Sequence, residues 1–155
     1  MSRAEKRAAA RLGAVQALYE LEASEKGVNE ALAEFETHWL NREVDEVPAR
    51  AADDAFFRDL VSGFVREQAM LDQRIDAALQ KGWPLRRIEM VLRAILRAAS
   101  YELYFRPDVP ARAVISEYVD VAHAFHERDE AGLINAVLDA LARDARPDEL
   151  ARRAN

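Results

Sequence analysis

Apolar residues recur at intervals of three and four positions along most of this chain, and that spacing constrains its fold more than any other feature. One stripe begins at Phe56 and continues through Phe64, Leu71 and Ile75 to Leu79. Such spacing puts side chains on one face of an α-helix, while the alternation typical of half-buried strands is absent. Only five glycines and five prolines interrupt the 155 residues. The sequence therefore predicts an all-α fold, a compact bundle of about six to seven helices.

The predicted helices are joined by short segments that carry glycine, proline or capping residues. They span about 2–24, 29–39, 53–79, 84–105, 111–127 and 129–143. Residues 41–52 are predicted to form the longest loop. Residues 147–155 are expected to fray, because Pro147 cannot continue the preceding helix and chain ends are often poorly ordered. The length predicts a single domain over residues 1–146.

Several classes of protein are not expected from this composition. The chain has no cysteine, which removes disulfides and thiolate chemistry and is typical of a cytoplasmic protein. No apolar run is long enough to span a membrane, and no secretory signal follows Met1. His123 and His126 could form part of a metal site, but nothing indicates a further ligand. No phosphate loop or catalytic motif is present, so neither an enzyme nor a cofactor is predicted.

Charge is unevenly distributed along the chain, although the net charge is −6. Residues 1–11 carry a local charge of +3, whereas residues 20–54 carry −8. Residues 74–112 contain eight basic and four acidic side chains. This distribution indicates a positive patch on an acidic body, which would direct an anion to one place. A random distribution of charged side chains over the surface explains the same counts.

The first predicted helix carries the residues most typical of nucleic-acid binding. Arg3, Arg7 and Arg11 are spaced i, i+4, i+8, so they share one side of the helix, where guanidinium groups can pair with successive phosphates. Gln16 can read a base edge and Tyr19 can stack on an unpaired base. An ordinary amphipathic helix with a basic end would show the same pattern.

Five segments of the chain resemble the bacterial transcription antitermination factor NusB family. They are Arg7–Tyr19, Phe56–Gly63, Ala94–Leu103 followed by Asp108-Val109-Pro110, Ile115–Glu117 and Leu133–Asp139. They occur in the family's order and spacing, and the resemblance as a whole extends over about residues 5–145. The resemblance implies an all-helical fold of two three-helix halves. It also implies a non-enzymatic factor that binds the single-stranded boxA RNA of ribosomal RNA operon leaders together with the ribosomal protein NusE, and that acts on the RNA polymerase elongation complex.

The resemblance also assigns residues to the RNA surface. The matching positions are Arg7, Arg11, Gln16, Tyr19, Asp129 and Asn135, while Arg3 and Lys6 are added on charge alone. Some members of the family form homodimers that hide this surface, and no residue here decides the oligomeric state. By contrast, Arg97 and Glu117 are expected to form structural pairs.

The chain departs from the family's pattern at several of these positions. Alanines stand at positions 8 and 9, where arginines are frequent, and Gly132 and Leu133 replace a lysine and a phenylalanine. An acidic position used toward NusE falls on Leu92. Weaker RNA binding by the chain alone is therefore expected. Two alternatives stay open: a helical module detached from a ribosomal RNA methyltransferase, and an assembly factor without RNA binding.

Overall fold

A computed structural model describes residues 2–24, 27–35, 53–79, 84–125 and 128–154, and all regular structure in these ranges is helical. The all-α prediction is therefore confirmed. The chain divides into two compact units, the first ending at Arg66 and the second beginning at Glu67. The predicted loop at 41–52, together with His38 and Trp39, lies outside the described residues.

The first unit contains three described helices: α1 (Arg3–Ser24), α2 (Val28–Phe35) and α3 (Asp54–Arg66). Helix α1 packs against both α2 and α3. It contributes mostly small residues to the core, and α3 fills the facing space with large ones. The buried hydrophobic residues are Ala10, Ala14, Val15, Ala17 and Leu18 of α1, Leu32 of α2, and Phe56, Phe57, Leu60, Val61 and Phe64 of α3.

Side-chain caps fix the beginnings of α1 and α3. The Glu5 amide donates to Ser2 Oγ at 3.0 Å and the Ser2 amide donates to Glu5 Oε1 at 3.3 Å, which is a reciprocal capping box. Asp53 Oδ1 accepts from the Phe56 amide at 3.0 Å. Each such cap contributes about 1 kcal/mol to stability. Ser2 and Asp53 are therefore the capping residues of α1 and α3.

The second unit is built around α5 (Met90–Phe105), which packs against α4 (Gln68–Ala78), α6 (Ala111–Phe125) and α7 (Arg128–Ala145). A short 3-10 turn, Leu85–Arg87, precedes α5, and α8 (Pro147–Ala154) follows α7. The buried residues of α5 are Leu92, Ala94, Ile95, Leu96, Ala98, Ala99, Ser100, Tyr101, Glu102 and Leu103. A helix buried on nearly all sides is typical of the centre of a bundle.

Two predicted helices are interrupted in the structure. The predicted helix at 53–79 ends at Arg66 and begins again at Gln68, because Glu67 adopts φ −102° and ψ 14°. The predicted helix at 84–105 starts only at Met90, because Ile88 is extended, with ψ 140°. The Leu85 amide donates to Asp76 Oδ1 at 2.7 Å, which holds the short turn against the end of α4.

The expected fraying of residues 147–155 also differs from the structure, which forms α8 over Pro147–Ala154. Proline suits the first position of a helix, and Asp148 and Glu149 lie in the first turn, where the helix dipole favours negative charge. The Glu149 carboxylate accepts from the Ala111 amide at 2.7 Å, so α8 caps the beginning of α6.

Arg146, immediately before α8, is 8% exposed and joins several segments of the second unit. Its guanidinium donates to the carbonyl oxygens of Glu102 at 3.0 Å, Leu103 at 2.9 Å and Arg106 at 2.8 Å, and also to that of Val109. The last carbonyl groups of a helix lack partners within it, and this side chain donates to two of them in α5 and to two carbonyl groups of the turn that follows.

Candidate nucleic-acid interface

The basic side chains at the beginning of α1 become progressively buried along the helix. Arg3 and Lys6 are exposed, the Arg7 side chain is 15% exposed, and Arg11 is 4% exposed. The first turn of α1 is exposed to solvent, the second is partly buried, and the third lies in the core of the first unit. Solvent therefore reaches only the first part of the predicted row.

Arg7 and Arg11 both pack on the ring of Phe56 in α3. Their guanidinium carbons lie 4.5 Å and 5.1 Å from the ring centroid, within the range of a cation–π interaction. Arg7 Nε also lies 3.8 Å from Asp53 Oδ2, so the residue that caps α3 offsets part of the positive charge. Arg7 is a partly accessible cation, and Arg11 is a packing residue in this arrangement.

This placement differs from the predicted row of three phosphate-binding arginines. The i, i+4, i+8 spacing puts the side chains on one side of α1, but that side is covered by Phe56 from the third turn onward. No local pattern around Arg11 indicates this contact, because Phe56 lies 45 positions later in the sequence.

The two remaining candidates on α1, Gln16 and Tyr19, lie farther along the helix and are both accessible to solvent. Tyr19 is 37% exposed and Gln16 is half-buried. They are three residues apart, so they are neighbours on the helix surface. An exposed ring beside an amide is an arrangement that can stack on and read an unpaired base.

The two remaining candidates belong to the second unit. Asp129 lies in the first turn of α7, and its side chain is outside the described part of the chain. Asn135 is exposed on α7. At Gly132, where the family's lysine is absent, an added Cβ would meet no atom within 4 Å, so the site is open.

Other charged residues in the matched segments have structural partners. Arg97 donates to both carboxylate oxygens of Asp72, from Nε at 3.0 Å and from Nη2 at 2.9 Å. This bidentate pair agrees with the structural role expected for Arg97. Leu92 is 4% exposed and belongs to the core, so it offers no surface group to a partner protein.

Arg146 and Glu149 are two polar residues of structural importance that sequence reasoning missed. Their partners lie 37 to 44 positions away for Arg146 and 38 for Glu149. The available signal was Pro147, which can begin a helix as well as end one.

Neither a metal site nor a membrane span is found among the described residues. No three histidine, aspartate or glutamate side chains in these ranges are grouped so as to hold a metal ion. His123 is exposed, and His126 lies outside the described residues. None of the described helices has the length and apolar content needed to cross a membrane.

Comparison with known proteins matches nearly the whole chain to NusB proteins. The NusB family model matches residues 8–143. The transcription antitermination protein NusB of Nitrobacter hamburgensis is 59% identical over 150 residues, covering 97% of this chain and 94% of the relative. The NusB protein of Bradyrhizobium sp. strain ORS 278 is 58% identical over 148 residues, covering 96% and 88%.

Solved structures show the same fold. NusB of T. maritima aligns with a TM-score of 0.77 at 27% identity, covering 94% of this chain and 96% of that one. A chain from a complex of the antitermination factors NusB and NusE with dsRNA aligns with a TM-score of 0.75 at 24% identity, covering 93% and 99%.

Proposed function

Because this chain belongs to the NusB family, we propose that it is a transcription antitermination factor that binds RNA together with NusE. Its relatives at 58–59% identity are antitermination proteins, which makes the chain a binding factor and not an enzyme. The finer proposal is that the RNA is the single-stranded boxA element, and that the assembly acts on the RNA polymerase elongation complex. We place this function in the cytoplasm, where bacterial transcription occurs.

The observation that carries the proposal is the exposed part of α1. Arg3 and Lys6 offer cations to phosphates, the half-buried Arg7 is held beside them, and Tyr19 offers an exposed ring. Phosphate contacts supply affinity through counterion release, while stacking on a ring favours unpaired bases. We propose that Arg11 contributes by anchoring α1 on Phe56 and not by binding a phosphate.

The role of NusE follows from the charge of the chain. A protein with net charge −6 and a small basic patch neutralises few phosphates, so its affinity for RNA alone is expected to be weak. A basic partner protein would add cations beside the patch and reduce repulsion by the acidic body. The pair should therefore bind RNA more tightly than either protein alone.

A thermodynamic cycle on the three components tests this proposal. The affinity for a boxA oligomer is measured by calorimetry with and without NusE, and the affinity for NusE is measured with and without the oligomer. Linkage requires the same factor on both sides of the cycle. If NusE binds with no gain in RNA affinity, or does not bind at micromolar concentration, the chain is instead a helical interaction module. Light scattering on the same samples reports whether a homodimer forms.

A further inference from the structure

A cavity of about 490 Å³ opens between α6, α7 and α8 in the second unit. Its apolar part is formed by Ile115 and Val119 of α6 and by Leu150 of α8, all of them only partly buried. A volume of this size lies in the range of ligand-binding sites. We call this cavity the α6–α7 groove.

Polar side chains line the same groove in an ordered way. Arg112, Ser116 and Asp120 of α6 are spaced i, i+4, i+8, so they form one line along the groove. With a rise of 1.5 Å per residue, the backbone positions of Arg112 and Asp120 are about 12 Å apart. Asn135 and Asp139 line the groove from α7.

The polar side chains of the groove are accessible to a ligand. The side chains of Arg112, Ser116, Asp120 and Asn135 are exposed, and no hydrogen bond or ion pair joins these side chains to another described residue. Asp139 accepts from Arg143 Nε at 2.9 Å, so its charge is offset within α7. The groove therefore presents one open cation and one open anion, with an amide and an apolar floor between them.

This charge pattern favours a peptide over RNA as the occupant. A nucleic-acid backbone carries one negative charge per nucleotide, and the open carboxylate of Asp120 would oppose it at one end of the groove. A peptide can carry both signs of charge and an apolar side chain. Its backbone also offers the donor and acceptor that the Asn135 amide can satisfy together.

We propose that the α6–α7 groove docks an extended segment of a partner protein. An acidic side chain of that segment would pair with Arg112, an apolar one would cover Ile115 and Val119, and a basic one would pair with Asp120. Positions 1, 3 and 5 of an extended peptide share one face and span about 13 Å, which matches the line on α6. The proposal assigns Asn135 to this groove, and it does not depend on RNA binding by α1.

Short synthetic peptides provide the probes. Fluorescein-labelled Asp-Ala-Leu-Ala-Lys and its reverse, Lys-Ala-Leu-Ala-Asp, are titrated into the full chain and followed by anisotropy and by backbone amide NMR. Peptides with two lysines, with two aspartates, or with serine in place of leucine serve as controls. At least one mixed-charge peptide should bind more tightly than every control and should shift the amide signals of α6 and α7.

Single charge reversals then test the assignment of each end. Asp120→Arg should turn the preference toward the peptide with two aspartates, and Arg112→Glu toward the peptide with two lysines. Each exchange should change relative affinity about three- to fivefold, as for a partly exposed ion pair. Glu30→Arg makes the same change of net charge as Asp120→Arg, but on the exposed surface of α2, and should leave the preference unaltered.

Two outcomes would overturn the proposal. One is a set of affinities that does not depend on the charges at positions 112 and 120 in variants whose thermal unfolding is unchanged. The other is a single-stranded boxA oligomer shifting the amide signals of α6 and α7 while no peptide does, which would make the groove a wall of the RNA site. Failure of the proposed function is distinguishable, because RNA binding would then be absent while peptide binding persists.

Discussion

Arg3 and Arg11 lie two helical turns apart on the same side of α1, yet solvent reaches only the first of them. The guanidinium of Arg11 lies over the ring of Phe56 and its aliphatic stem is removed from water, so this residue contributes to folding. The same residue type therefore has two roles within one stripe, and burial decides which role applies.

Arg11→Ala and Arg3→Ala should separate these roles. We expect Arg11→Ala to lower the free energy of unfolding by about 1–2 kcal/mol, through loss of the cation–π contact and of packing. Arg3→Ala should change stability by less than about 0.5 kcal/mol but should reduce the salt dependence of RNA binding by about one counterion. Urea unfolding and anisotropy at several salt concentrations measure both. Equal stability of the two variants would contradict the packing role.

Tyr19 provides a test of stacking. Because its ring is 37% exposed, Tyr19→Ala should leave thermal unfolding nearly unchanged while costing about 1–3 kcal/mol of RNA binding. Tyr19→Phe keeps the ring and should bind almost as the parent does. A Tyr19→Ala protein that unfolds much more easily, yet binds RNA normally when folded, would place this side chain in the core instead.

Helix ends in the second unit depend on contacts that are distant in sequence. Arg146 satisfies carbonyl groups at the end of α5 and Glu149 caps α6, and the two side chains contact each other at 3.2 Å. The short helix α8 is therefore held to the rest of the unit by polar groups at its first turn.

Arg146→Ala should destabilise the second unit strongly, by about 3 kcal/mol or more, because buried carbonyl groups lose a charged donor. Arg143→Ala, three residues earlier and near the end of α7, is a matched control. Its side chain is 73% exposed and its partner is Asp139 at i−4, so its removal should cost no more than about 0.5 kcal/mol. Chemical unfolding of both variants measures the difference. Similar values for the two would show that the carbonyl contacts of Arg146 contribute little.

The periodicity of the sequence predicts most helices but not their interruptions. The apolar stripe keeps its register from Phe64 through Leu71 to Ile75, so nothing in the pattern marks the break at Glu67. Likewise, Arg11 has a helical position that sequence predicts, but its burial depends on a ring from another helix. Local patterns determine helix faces, whereas the partner of each face is set by tertiary packing.

The titration of one partly buried phenol, that of Tyr104, makes the stability of the whole molecule depend on pH. Tyr104 Oη donates to Asp144 Oδ2 at 2.6 Å, and burial, followed by this carboxylate, raises the pKa of the Tyr104 phenol well above its ordinary value. A group whose pKa is raised by folding makes its full contribution to stability at pH values below the pKa that it has in the unfolded chain. For Tyr104 that pKa is near 10. That contribution declines as the pH rises above this value.

The stability of the parent protein should therefore fall more steeply above pH 10 than that of Tyr104→Phe, which lacks the titrating group. The variant should be somewhat less stable at pH 8, because it loses the hydrogen bond to Asp144. Urea unfolding of both proteins between pH 8 and 11.5 measures the two slopes. Parallel slopes would mean that the Tyr104 phenol titrates alike in the folded and unfolded chains.

The contacts of Arg146 also impose an order in time. The carbonyl groups that it satisfies belong to residues made 37 to 44 positions earlier. At about 5–20 residues per second, ribosomes need roughly 2–9 s to add such a stretch. During that interval water must hydrate the carbonyl groups at the end of α5, because the guanidinium that donates to them has not yet been synthesised. The contacts that complete the second unit can therefore form only after Arg146 has been added to the chain.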